Sequence, residues 1–301
     1  MLLGQTVSAI DGSATGLVSI QLGNRFAIQS DAEGHFQVDV GGPGTYATAV
    51  TGSKIVERHT SVTGPTADRT KISLIPSSFD LQAFDEMFRG SNSRLQRWTT
   101  RPSLVVVGAV MKYVRSNTDR YEASGDRLTD DEVALLVAHL TEGLTLLTGG
   151  TYPSFASVEI EWPQPGEQVT VRRQGTIVIG RYNGINTLAQ TIGYGSWAEQ
   201  PDGTVAGGSI WLDREFDTDD ARRRLLRIHE LGHALGYNHV TLRTSVMNPA
   251  IGPEPTDADR AGAAIAFQRP VGNTSPDTDP TASARTFSVA EGTPRWRVLI
   301  P

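Results

Sequence analysis

The rhythm of apolar and polar residues changes near residue 76. Before it, short stretches alternate with period two: Val18-Ser19-Ile20-Gln21-Leu22, then 35–40, 45–50 and 71–75. Turn chemistry separates them, as in Ser30-Asp31-Ala32-Glu33-Gly34 and Gly41-Gly42-Pro43-Gly44. Period-two runs broken by Gly, Asp and Pro at this spacing predict strands that each bury one face, and together an all-β sandwich over 1–76. Asp31 and Glu33 can be read as a calcium site, but an Asx-type turn between two strands is the much stronger reading and needs no ion.

Beyond Pro76-Ser77-Ser78 longer periods take over, and a second unit is expected over 77–270. Residues 79–88 carry apolar side chains at helical spacing. Leu104–Val110 is a continuous apolar run typical of a strand buried on both faces. Thr129 to Glu132 forms a capping box, and Val133, Leu136, Val137, Leu140, Leu144 and Leu147 then fall on one helix face until Gly149-Gly150 stops it. Strands are expected at 158–162, 176–180, 191–197 and 209–212, then a helix beginning near Asp217–Asp220, and a last helix over 257–268 capped by Thr256. Arg222, Arg223, Arg224 and Arg227 read as a solvated helix face, and the lone His139 as a structural or exposed residue. Residues 271–301 read as a tail or linker, with room for one unassigned strand after Arg285. Strand and helix segments without strict alternation make the second unit α+β.

Composition narrows the function classes. The 301 residues carry a net charge of −6 and a pI near 5.5, which argues against general nucleic-acid or anionic-membrane binding. No apolar run is long enough for a membrane span. The first residues show neither a basic nor an apolar signal region, so no signal peptide is read. There is no cysteine, hence no disulfide and no thiol chemistry.

The candidate chemistry lies in one stretch, Ile228-His229-Glu230-Leu231-Gly232-His233-Ala234-Leu235-Gly236-Tyr237-Asn238-His239. Histidines four apart share a helix face and form half of a metal site. Glu230 sits about 100° further round the helix, where it can reach a water without being a ligand. Gly236 can end the helix in a left-handed turn and bring His239 back toward the pair. Three histidines with an open fourth position is the catalytic zinc pattern, whereas a structural zinc is closed by a fourth protein ligand. The bland alternative is a core helix that happens to hold two histidines; three of six histidines within this stretch weigh against it.

His229-Glu230-x-x-His233-x-x-Gly236-x-x-His239 resembles the zinc motif of the metzincin metallopeptidases, and Ser245-Val246-Met247-Asn248-Pro249 is similar to their methionine turn. The short spacing to Met247, and Gly207–Asp213 before the helix, resemble the matrixin branch. Val240 and Asn248 depart from the usual matrixin residues, and Pro249 stands where other branches place a zinc-reaching tyrosine. The Asp31–Phe36 hairpin with its following strands resembles the carboxypeptidase-regulatory, transthyretin-like sandwich.

The resemblance implies a five-stranded mixed twisted sheet with three main helices. It also implies one Zn²⁺ on His229, His233 and His239, with Glu230 as general base and Met247 as an apolar floor. Residues 190–197 would be an antiparallel edge strand, with Ile192, Gly193 and Tyr194 as substrate contacts. The activity implied is hydrolysis of protein or peptide substrates by a secreted, monomeric endopeptidase. Two rivals stay open: a zinc hydrolase acting on a non-peptide amide or ester, and a silent binding protein that adheres through the sandwich.

Overall fold

The computed structural model describes residues 1–90, 93–114, 120–185, 190–218, 222–281 and 295–299. The chain is mixed α+β with several sheets.

Seven strands build the first unit: β1 Leu2–Ser8, β2 Ser19–Leu22, β3 Phe26–Gln29, β4 His35–Val38, β5 Gly44–Thr51, β6 Arg58–Gly64 and β7 Thr70–Leu74. They form a three-stranded sheet, β4-β1-β7, and a four-stranded sheet, β3-β2-β5-β6. The period-two positions Ile20, Leu22, Phe36, Val50, Ile72 and Leu74 point into one shared apolar core between the sheets. Asp31 serves the turn before β4: its carboxylate accepts the His35 amide at 2.6 Å.

The second unit opens with the short helix α1, Leu81–Phe84, continued by a wide turn through Arg89. Then come β8 Ser103–Val107, β9 Ala109–Val114, β10 Arg120–Arg127, α2 Asp130–Leu147, β11 Val158–Glu161, β12 Thr176–Tyr182, β13 Gly193–Glu199, β14 Val205–Asp213, α3 Arg223–Ala234, α4 Asp257–Gln268 and β15 Arg295–Leu299. Helix α2 begins with the expected reciprocal cap of Thr129 and Glu132. The sheet has eight strands rather than five. Its main path is β10-β9-β12-β14-β13-β15, with β8 between β12 and β11. Strands β12, β14, β8 and β11 pair in parallel, whereas β13 is antiparallel to β14. Of the parallel strands, β8 and β12 are continuous apolar runs buried on both faces, whereas the outer strand β11 alternates Val-Glu-Ile-Glu and is largely exposed. Helices α2, α3 and α4 pack with one sheet face in a core that includes Leu136, Leu140, Leu144, Leu226, Ile228 and Ile265.

Two expectations are corrected. Strand β13 is not an edge: β15 pairs with its outer side, from Glu199 opposite Arg295 to Gly195 opposite Leu299. Residues 271–281 are not a loose linker. Asp277 is fully buried and accepts Arg269 through two bonds of 2.8 Å and Arg58 of β6 through one of 2.8 Å. Asn273 donates to Asp277 and Asp279, and Arg269 also reaches Ser73 in β7. A composition rich in Asp, Thr and Pro thus supplies a buried acceptor for two arginines and pins the sandwich to the second unit. Residues 282–294, also read as tail, lie outside the described residues.

Candidate metal centre

Helix α3 carries the first two histidines because its apolar face is driven into the core. Leu226, Ile228, Leu231 and Ala234 are buried, and His229 and His233 share that burial. Leu235 follows as the cap, and Gly236 takes a φ of +99°, the left-handed conformation that an L-residue resists. The Tyr237 amide bonds back to the Gly232 carbonyl and the chain reverses, which delivers His239 to the pair.

The imidazoles converge on one point. His233 Nε2 lies 3.1 Å from both His229 Nε2 and His239 Nε2. Meanwhile His229 Nδ1 contacts the Val246 carbonyl and His233 Nδ1 the Tyr237 carbonyl, each at 2.8 Å. A carbonyl only accepts, so both Nδ1 atoms carry the proton and both Nε2 atoms present bare lone pairs. Lone pairs at this separation repel unless a cation lies between them. Tetrahedral coordination with Zn–N of 2.0–2.1 Å would set the nitrogens about 3.3 Å apart. The donor set therefore fits zinc in both chemistry and spacing. Burial pushes the His229 pKa down to about 4, offset in part by the Val246 carbonyl. Burial and then the neighbouring His229 hold His233 well below its usual range, and burial lowers His239. The imidazoles stay neutral at pH 7, as metal ligation requires. Among the described residues these three are the one group of His, Cys, Asp or Glu side chains close enough to share an ion.

Glu230, beside the two helical histidines, is fully buried, and neither carboxylate oxygen has a well-formed hydrogen bond. Burial raises its pKa well above the ordinary range, against a smaller pull from the Gly195 amide. A Cβ added to Gly193 would stand 3.0 Å from Glu230 Oε1, so the first residue of β13 lies directly against the carboxylate. Ile192 packs with the same core as α3. Tyr194 points the other way, as alternation along β13 requires, and packs beside Trp211 and Tyr182 on the opposite sheet face. Of the three expected substrate contacts, Gly193 and Ile192 thus lie on the metal side and Tyr194 does not. Tyr237 is buried with its hydroxyl donating to the Leu147 carbonyl, so it too is committed elsewhere.

Met247 is buried beneath the helix. A Cβ on Gly232 would meet Met247 Sδ at 2.3 Å, which places the thioether tight against α3. The methionine turn is held by Asp259 of α4: one carboxylate oxygen accepts the Ser245 hydroxyl at 2.6 Å, the other the Val246 amide at 3.1 Å. Since Val246 in turn accepts His229 Nδ1, the line Asp259–Val246–His229 fixes the His229 ring from outside. Asp259 also caps α4 with Thr256, and that i,i+3 pattern was its one visible signal in the sequence.

The arginine-rich start of α3 is a further correction. Arg227 is fully buried and donates to both oxygens of buried Asp217 at 2.8 Å, while Arg181 of β12 donates to the same carboxylate at 2.7 Å and also reaches Glu132. Asp217 and Glu132 together balance the two buried guanidinium groups, and Asp217, shared by both, ties α3 to the sheet. Arg224 is solvated as expected, but its acidic partners, Glu142 and Glu254, lie on other elements. His139 is half-buried with Nδ1 against Arg227, and burial followed by that positive charge lowers its pKa. Asp219 and Asp220, expected at the helix start, lie outside the described residues. Trp98, a core residue, donates its indole N–H to the Ala234 carbonyl at the end of α3.

No protein-family model matches the chain, and no curated protein matches it. Among the described residues no helix is long and apolar enough to cross a membrane.

Proposed function

We propose that the chain is a zinc-dependent endopeptidase of the metzincin kind, similar to the matrixins, with His229, His233 and His239 as ligands and Glu230 as general base. The observation that carries this reading is the convergence of three imidazoles, two fixed with bare Nε2 lone pairs, beside a buried carboxylate that makes no well-formed hydrogen bond. A structural zinc site would be closed by a fourth protein ligand and would have no use for an orphaned acid at its side.

When bound, zinc polarises the scissile carbonyl and lowers the pKa of an attacking water toward ~7. The raised pKa of Glu230 belongs to the metal-free carboxyl, and a nearby dication favours the ionised form needed of a base. Glu230 takes the proton from the water as the new C–O bond forms. It then delivers that proton to the amide nitrogen as the C–N bond breaks. The Val246 and Tyr237 carbonyls keep two ligand rings in orientation throughout, and Met247 supplies an apolar floor. The substrate is a protein or peptide and the working compartment extracellular, both by the resemblance.

The test is zinc content and cleavage of denatured casein, measured in parallel for the parent and for Glu230→Ala. One zinc per chain in both, with cleavage only by the parent, is the expected result. Absence of zinc from both proteins would end the catalytic reading.

A further inference from the structure

The outer side of β13 is already taken. Strand β15 runs antiparallel along it, and its carboxyl end lies opposite Gly195. Gly195 is pressed against α3: a Cβ there would stand 2.5 Å from His233 Cβ and 2.6 Å from the Glu230 carbonyl oxygen. The strand therefore runs toward the metal centre along the backbone on which an extended peptide would add. Its side chains are specifically received. Arg297 Nε lies 2.7 Å from Glu199 Oε2, and Glu199 is 4 % exposed and also meets Arg94 at 3.3 Å. On the opposite face, Trp296 packs over Gly207, where an added Cβ would meet its ring at 3.4 Å, and the Arg172 guanidinium lies 5.5 Å from the ring centre. Near the chemistry, His229, His233 and Glu230 are all fully buried.

We propose that β15 is a tethered peptide occupying the strand-addition surface of β13 in cis. Its contacts define the extended peptide this surface accepts: a basic residue for Glu199, flanked by an aromatic residue for the Gly207–Arg172 face. In strand addition the backbone ladder supplies affinity and alternate side-chain positions supply selectivity. Both are present here, in the Gly195–Glu199 ladder and in the contacts of Arg297 and Trp296. A tethered strand competes at a high effective concentration, so an untethered peptide enters only after β15 leaves. This inference rests on the peptidase reading for its consequence, namely that release of β15 switches hydrolysis on. The strand contact itself does not depend on that reading.

The experiment uses the full chain with a specific-protease recognition sequence placed within 282–294, folded intact and then cut. Binding is followed by fluorescence anisotropy with a labelled peptide of residues 293–301. It is measured on zinc-loaded protein carrying Glu230→Gln, so that the probe is not consumed. Hydrolysis of a quenched peptide is measured in parallel with Glu230 intact. After cutting and removal of the fragment, the probe binds at least tenfold more tightly than to the uncut chain. A probe with Glu in place of Arg297 binds at least tenfold more weakly, a comparison free of folding effects because only the peptide changes. Hydrolysis rises at least tenfold on cutting. Equal binding to cut and uncut protein, binding to neither, or indifference to the charge reversal would overturn the proposal. Selective probe binding with no hydrolysis in either form would support the strand contact while removing the peptidase reading on which its regulatory meaning depends.

Discussion

Gly195→Ala is the sharpest probe of how β13 and α3 build the centre. The added Cβ would lie 2.5 Å from His233 Cβ, 2.6 Å from the Glu230 carbonyl oxygen and 3.3 Å from the Ala234 amide nitrogen. Ordinary carbon contacts sit at about 3.5–4.0 Å, so strand and helix must part by about 1 Å. None of the obstructing atoms can swing away, because each belongs to the helix backbone or is bonded directly to it. Overpacking of a dense core costs roughly 1–3 kcal/mol, and this immovable geometry places the substitution near the upper end. A loss of about 3 kcal/mol lowers the melting temperature by roughly 5–10 °C in a chain of this size. The displaced residues are His233 and Glu230 themselves, so zinc affinity falls together with stability. The assay is thermal unfolding plus competitive zinc titration. Gly125→Ala serves as the control, because a Cβ there meets nothing within 4 Å. A Gly195→Ala protein that melts with the parent and binds zinc equally well would refute the packing of β13 on α3.

Three further outcomes follow from the same contacts. Asp259→Ala removes the brace behind Val246 and His229, and zinc affinity should fall by roughly 10–100-fold in a competition assay. Asp277→Ala leaves Arg58 and Arg269 buried without their shared acceptor, and denaturant titration should record a loss of about 3–5 kcal/mol. Zinc-free protein should lose stability as pH falls from about 6.5 toward 4. Over that range unfolded histidines gain protons while His229, with its pKa pushed down to about 4, stays neutral in the fold. This residue alone contributes roughly 3 kcal/mol across the window, and a denaturation midpoint unchanged between pH 7 and pH 4.5 would contradict the burial of the neutral ring.

The convergence of His229, His233 and His239 was legible because one helix period and one glycine turn relate them, and both are local properties of the chain. The same holds for the reciprocal cap of α2 and the alternating strands around Ile20 and Val50. What the sequence concealed is non-local. Arg227 looks like a surface charge until Asp217 is folded against it, and Asp277 resembles linker composition until Arg58, 219 residues earlier, is its partner. Strand β6 escaped notice because Arg58 and Thr60 share its inward side with Val62, which leaves no alternating apolar run. The pairing of β13 with β15 was invisible for a related reason: Arg295-Trp296-Arg297 shows no apolar alternation, and its acceptors are Glu199 and the backbone of a distant strand.

The long separation of Asp277 from Arg58 also orders events during synthesis. Arg58 leaves the ribosome 219 residues ahead of the carboxylate that neutralises it, an interval of roughly 10–45 s at ordinary translation rates. Throughout that wait the sandwich must stand by itself with a guanidinium still in water, relying on the apolar core between Leu2 and Leu74. Locking of the two units consequently waits until residue 277 has emerged. Nascent chains halted before residue 277 should hold a formed sandwich that moves independently of whatever has folded behind it.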